Sequence, residues 1–347
     1  MQCTLLIPHL LWPRDSAHAV TGGLELPWLL RVLSRAHAAR HPVLTPEAWL
    51  CQAFEVERQH DWPIAPLTAA LDNVEVGDAY WLRADPVHIR VDRDRDRALL
   101  VDNTLIDLTP DEAKALTATL NQYFAEDSIQ FLAAAPKRWY VKLAQTPRLT
   151  TYEPSAVAGK DVEQHLPAGA DALTWHAVFN EAQMLLHEHR VNTTREARGE
   201  LPVNSVWFWG GGTRLAVPGR HFDAAWSDDA TAIALAAAAD AHTSTVPADA
   251  ATWLDLAHGL RHAARSHLIV LGELAGAVAY RDAESWRMRV SALESHWFAP
   301  LVRALREHTI TQLAIVAPGD ECCWRFDLAR ADLLKFWRRT QPLSAYT

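Results

Sequence analysis

Apolar positions along the chain fall into short blocked runs that alternate with stretches of helical spacing. Cys3-Thr4-Leu5-Leu6-Ile7 is stopped by Pro8, which reads as a buried parallel strand presenting His9 at its carboxyl end. Gly22-Gly23 break the chain, and Leu26, Leu29, Leu30 and Leu33 then mark a helix beginning near Pro27. A second helix opens at Thr45-Pro46-Glu47, with Thr45 as N-cap, Pro46 at the first helical position and Trp49, Leu50 and Phe54 facing inward. Later, His267 to Leu271 is another apolar strand that ends at Gly272 and is followed by Glu273. Asp282 caps a long amphipathic helix carrying Trp286, Val290, Leu293, Trp297, Leu301 and Leu305, with a kink predicted at Pro300, and this helix leads into the strand Leu313 to Val316. Strand, helix and strand in that order predict a parallel crossover whose strand ends share one edge, where Glu273 and Asp320 would lie with His9.

The middle of the chain has a different rhythm. Val87 to Val91 and Ala98 to Val101 read as a hairpin around the charged turn Asp92 to Arg97, whose alternating charges suit solvent. Thr109-Pro110-Asp111-Glu112 starts a helix with Ala113, Leu116, Leu120 and Phe124 on its buried stripe. Ile129 to Leu132 and Trp139 to Leu143 are two further apolar runs, followed by the irregular segment Gln145 to Gly169. Phe179, Ala182, Leu185, Leu186 and His189 then recur at helical spacing before the polar cluster Asn192, Arg195, Arg198 and Asn204. That cluster runs into the strand Val206-Trp207-Phe208-Trp209 and the glycines Gly210, Gly211 and Gly212. Arginine forks, amides and glycines after a strand suit a small phosphorylated or carboxylated ligand, so these seven residues are the candidate substrate-binding group. The change of rhythm predicts a discontinuous α/β core over residues 1–78 and 200–347, interrupted by an α+β unit over 79–199.

Composition narrows the possibilities. With 347 residues, 49% of them apolar and 22% charged, the chain reads as globular. A net charge of -9 gives no field for nucleic acid, and none is expected as a partner. Fifteen tryptophans are scattered from Trp12 to Trp337, which suits core anchors. Cys3, Cys51, Cys322 and Cys323 show no C-x-x-C spacing and read as reduced thiols of a cytoplasmic protein. The opening MQCTLLIPHLLWPRD lacks a basic leader, and Ala230 to Ala239 reads as a buried helix, so no membrane partner is expected.

His189, Asn192, Arg195, Gly199 and Asn204, followed by Trp207 to Gly212, form a long spaced pattern. It resembles the corresponding segment of the archaeal-type, cofactor-independent phosphoglycerate mutases of the alkaline phosphatase superfamily, and especially a bacterial side branch known as pathogenicity-factor regulatory protein E. The resemblance implies an alkaline-phosphatase-like, doubly wound, mainly parallel sheet with an inserted domain. It also implies two divalent metals and a phosphorylated serine, with the metals neutralising phosphoryl oxygens and activating the hydroxyl. Carried over, the serine, acid and alanine of the family fall on Thr45, Glu47 and Ala48, making Thr45 the candidate catalytic residue. The family's first aspartate falls on His9, and its D-E-A-G-H motif falls on Glu273 to Ala277, which has lost the histidine. The remaining ligand positions fall on Asp320, with no histidine after it, and on Asp327. His9, Glu273, Asp320 and Asp327 would thus support at most one divalent metal, manganese or zinc, and the set is compatible with none. The resemblance therefore implies a mutase-like protein with a degenerate centre, regulatory or anion-binding; the alternative is an active metal-dependent mutase or phosphatase.

Overall fold

The computed structural model describes residues 1–92, 97–219, 221–260 and 265–347. Its strands are β1 (Gln2–Leu6), β2 (His37–His41), β3 (Tyr80–Asp92), β4 (Arg97–Val101), β5 (Ile129–Ala135), β6 (Arg138–Leu143), β7 (Ser205–Gly212), β8 (Ala224–Trp226), β9 (His242–Ser244), β10 (Ser266–Val270), β11 (Gln312–Pro318) and β12 (Cys323–Ala329). The chain divides into two compact units, residues 1–55 with 217–347, and residues 56–216. The fold is mixed α/β, and the seven-stranded sheet is mainly parallel, as the sequence reading expects.

In the first unit the sheet order is β2-β12-β11-β1-β10-β8-β9. β11, β1, β10, β8 and β9 are parallel, while β12 and β2 add an antiparallel edge. Leu6 stands level with Val270 and Val316, Ile269 with Trp226, and Trp226 with Ser244, so the carboxyl ends of five strands form one edge. Both faces of this sheet are covered, which is why its strands are continuous apolar runs rather than alternating ones. Leu5, Ile269, Ile315, Trp226, Trp253, Trp286 and Phe298 belong to one buried cluster. The long helix behind β10 is interrupted where a kink is predicted, but by a π turn, Glu294–Phe298, between Ala283–Leu293 and Ala299–Arg306. Pro300 has no amide hydrogen and crowds the carbonyl four residues before it, and the wider turn absorbs both defects.

The second unit is an antiparallel sheet, β4-β3-β6-β5, with β7 added along β3. Here the structure departs from the sequence reading in two ways. The tryptophan strand β7 pairs with β3, from Ser205 opposite Val87 to Gly212 opposite Trp81, and does not join the sheet that holds β1. Residues 56–78 and 200–216 also belong to this unit, because Ala65 and Ala69 of the helix Ile64–Leu71 pack on Trp81 and Tyr140, and Ile64 lies against Gly210. Periodicity says which face of an element is apolar and not which partner covers it. The predicted helix start at Thr109 is present as a complete capping box with Glu112. Of the charged turn after β3, residues 93–96 lie outside the described residues.

The three glycines are the last residues of β7 and are fully buried, not a loop. A Cβ on Gly211 would lie 2.2 Å from Tyr80 Oη and 2.8 Å from Leu82 Cδ2, and one on Gly212 would lie 2.4 Å from Pro63 Cβ. Close packing of protein against protein requires these glycines. Gly211→Ala should therefore lower stability by about 1–3 kcal/mol, the usual cost of overpacking, read as a fall in the urea midpoint; an unchanged midpoint would contradict this packing.

Candidate functional site at the parallel-sheet edge

Beyond the carboxyl ends of β8, β9 and β10 the first unit has a pocket of about 260 Å³. Asp228 enters it after β8, Val246 after β9, Glu273 after β10, and His296 and Trp297 from the π turn. This is the place where open α/β sheets bind ligands, since loops that follow parallel strands diverge there. Apolar walls from Val246, Leu271 and Trp297 surround a few polar groups. Burial pushes the Glu273 carboxyl above its ordinary range, against the opposing charges of Arg289 and His296. Asp228 and His296 escaped the sequence reading for separate reasons. β8 has only three residues, too few to show a period, and the long helix reads as unbroken up to Pro300, so nothing there predicts that His296 leaves its helical face.

The proposed metal ligands do not converge. His9 follows β1 in a left-handed conformation at φ 56°, its amide donating to Pro318 O (2.8 Å) and its carbonyl accepting from Trp286 Nε1 (3.0 Å). Asp320 lies in the turn from β11 to β12, where Gly319 N donates to Cys322 O (3.0 Å). Those two, with Glu273, follow neighbouring strands of one edge. Asp327 does not belong there. It faces Ala314 across the ladder, four residues along β12 from Cys323, which faces Pro318. At about 3.4 Å per residue this is roughly 13 Å from the edge. Its carboxylate is also held by Arg325, with Nε to Oδ2 at 2.9 Å and Nη2 to Oδ1 at 2.9 Å. Among the described residues no three of His, Cys, Asp and Glu stand together as a metal-holding group. The donor arrangement thus does not fit a two-metal centre. Thr45 is the N-cap of Pro46–Ala53, its Oγ1 accepting from Ala48 N at 3.1 Å.

The polar cluster of the second unit is brought together, but its donors are spent inside the protein. Asn192 is buried, donating to Leu186 O (2.6 Å) and Val203 O (2.7 Å) and accepting from Val203 N (2.8 Å). Arg195, 1% exposed, donates to Leu201 O (2.9 Å), Asp107 O (2.8 Å) and Glu112 (2.9 Å). Arg198 pairs with the same Glu112 (2.7 Å) and with Glu200 (2.8 Å). Asn204 clamps β3 through Ile89 N (2.7 Å) and Ile89 O (2.9 Å). Buried polar groups must find partners, and here the partners are backbone and a carboxylate. The same amide and guanidinium chemistry that suits a ligand also suits a staple between chain segments. A second buried charge pair went unread in the sequence. Arg83 and Asp85 sit on β3, joined at 2.6 Å, with Trp209 Nε1 donating to Asp85 at 2.8 Å.

Comparison with known proteins places these features. Residues 65–192 match the family model for 2,3-bisphosphoglycerate-independent phosphoglycerate mutase, a stretch that lies wholly within the second unit. A 2,3-bisphosphoglycerate-independent phosphoglycerate mutase of Methanosarcina mazei is 27% identical over 151 residues, 43% of this chain and 36% of that protein. That of Methanothrix thermoacetophila is 38% identical over 68 residues, 20% of this chain and 17% of the relative. Matched stretches thus span about a third or less of those relatives. A solved protein of Pyrococcus horikoshii is similar in fold, covering 99% of this chain and 92% of its own at a TM-score of 0.53 and 10% identity. The chain is a mixed α/β protein with a mainly parallel sheet. Its sequence matches support the 2,3-bisphosphoglycerate-independent phosphoglycerate mutase family.

Two outcomes follow from this geometry. Removing Arg195 leaves the carbonyls of Leu201 and Asp107 without their buried donor, while Glu112 keeps Arg198 and the Thr109 amide, so Arg195→Ala should cost about 3 kcal/mol, measured by urea unfolding, and a cost under about 0.5 kcal/mol would place it among ordinary surface residues. Glu273 has a folded pKa raised above its unfolded value. Its favourable contribution is complete below the unfolded pKa and is lost as pH rises through the folded one. Glu273→Gln should therefore raise the melting temperature relative to wild type at neutral pH, and the advantage should vanish at about pH 4 and below. A Gln variant less stable at pH 7 would show that the carboxylate is held by favourable partners.

Proposed function

We propose that this chain is a phosphoglycerate mutase-like protein with a degenerate phosphoryl-transfer centre, acting as a regulatory, small-ligand-binding protein of the kind typified by the pathogenicity-factor regulatory protein E branch. One observation carries the reading. Asp327 is tied to Arg325 about four residues from the strand ends, so the positions that the chemistry needs together are apart. Phosphoryl transfer depends on fixed positive charge at the transferring oxygens, and a lost stabilising group commonly costs about 2.7–4 kcal/mol. His9, Glu273 and Asp320 would hold at most one manganese or zinc ion, which as a Lewis acid would supply part of that charge. Ala277 offers no donor where the family motif has a histidine.

The ligand reading rests on the sheet-edge pocket and not on the arginines of the second unit. Burial disfavours the charged form of Glu273, and in its protonated form the carboxyl would donate a hydrogen bond to a carboxylate or phosphate oxygen, with His296 beside it in the pocket wall. Binding of such an anion should strengthen as pH falls, since protonation removes the repelling charge. An enzymatic reading has one supporting observation: Thr45 stands at the positive end of the helix Pro46–Ala53, a position that favours an anionic group. The discriminating assay is mutase turnover by purified protein with added manganese. Rates far below about 1 s⁻¹ are expected; a metal-dependent rate at or above that level, abolished in Thr45→Ala, would establish the enzyme.

A further inference from the structure

The strongest feature outside the sheet-edge pocket is an exposed apolar tip on the first unit. Leu334 is 71% exposed, Phe336 82% and Trp337 67%, within four consecutive residues. The rings of Phe336 and Trp337 meet edge to face at 5.4 Å, so the tip is a packed knob and not a frayed tail. It is pinned from below. Arg35 donates to Leu333 O, and Arg338 donates to Ala36 O at 2.8 Å, fastening the turn to the end of the helix Pro27–Arg35.

The surroundings are basic in a chain whose net charge is -9. The guanidiniums of Arg31 and Arg306 lie over the Trp28 ring at 5.0 and 5.5 Å. Burial, and then the like charges of Arg31 and Arg306, lower the Arg35 pKa, as expected of clustered cations. Among the described residues neither Arg31, Arg35 nor Arg306 forms an ion pair with a carboxylate. Arg338 and the exposed Arg339 continue the basic rim, and Lys335 is paired with Asp332 at 2.5 Å. Uncompensated cations beside exposed apolar rings carry a standing electrostatic cost that an anionic partner would relieve.

We propose that Leu334, Phe336 and Trp337, with the arginines around them, form a peripheral docking surface for an anionic lipid bilayer. Three features favour a bilayer over another occupant. The apolar side chains are two-thirds or more exposed, and a deformable interface accepts exposed rings without a shaped receptor. Tryptophan and phenylalanine flanked by arginine is the composition that sits at headgroup level, with rings inserted and cations on the lipid phosphates and carboxylates. An isologous contact with a second copy would set arginine against arginine. No crossing segment is required, and among the described residues no helix is long and apolar enough to cross a membrane. The proposal departs from the expectation of no membrane partner, which was drawn from the lack of a leader or spanning run.

The test is co-sedimentation of the purified chain with vesicles of phosphatidylcholine alone and with 30% phosphatidylserine, at about 0.1 M salt where charges still act across roughly 10 Å. Binding to the phosphatidylserine vesicles is expected. It should fall at least tenfold in Phe336→Ser/Trp337→Ser, in Arg31→Ser/Arg306→Ser, and for wild type at about 1 M salt where screening is complete within about 3 Å. All these positions are at least partly exposed, and an unchanged melting temperature confirms that each variant folds. No phosphatidylserine-dependent sedimentation, or undiminished binding by the Phe336/Trp337 variant, overturns the proposal. A concentration-dependent dimer that this variant dissolves, without vesicle binding, also overturns it and assigns the tip to a second copy.

Discussion

Pro300 sets a constraint that the first unit is built around. A proline inside a helix removes one hydrogen bond and clashes with the preceding turn, at a cost of about 3 kcal/mol or more. The chain meets this with the π turn Glu294–Phe298, and the extra residue turns side chains to faces that a regular helix would not give them. Glu294, nearly buried, accepts from Trp28 N (2.6 Å) and Leu29 N (2.8 Å) and so caps the helix Pro27–Arg35 from another part of the chain. Trp297 and Phe298 fill the core, and His296 reaches the sheet-edge pocket. Core packing, a distant helix cap and the pocket wall thus share one local irregularity.

The two units hold polar groups for different ends. In the second, Asn192, Arg195 and Asn204 close their hydrogen bonds within the protein, and Arg83 with Asp85 does the same beneath Trp209. Such groups specify one arrangement of strands, because any shift would leave a buried donor unpaired. The family-model match, residues 65–192, lies in this unit. Arg83, Asp85 and Asn192 fall within the matched stretch, and Arg195, Asn204 and Trp209 lie beyond it. At the edge of the parallel sheet most contacts are apolar, and many sequences satisfy them equally well.

How much of this was legible follows from the physics of each signal. β1, β10 and β11 were readable because a strand buried on both faces must be a continuous apolar run. Helix starts at Thr45, Thr109 and Asp282 were readable because capping is local in sequence. The partner of β7 was not, since antiparallel pairing to β3 joins residues more than a hundred positions apart. β8 and β9 are too short for periodicity, and β12, with the adjacent Trp324 and Arg325 and then Asp327 half-buried, breaks strict alternation. For the site, residue type leaves two uses open: the arginines and asparagines that suit an anion also make hydrogen bonds within the protein. The pocket residues Asp228 and His296 stand together only through long-range folding.

The central claim is that the edge of the parallel sheet offers a small-ligand pocket and not a paired-metal centre. Crystals of the purified protein grown with excess manganese, with anomalous scattering recorded, address it directly. The account predicts at most one ion at that edge, with Asp327 still paired to Arg325. Two ions about 4 Å apart, held by His9, Glu273 and Asp320 with Asp327 drawn in, would contradict it.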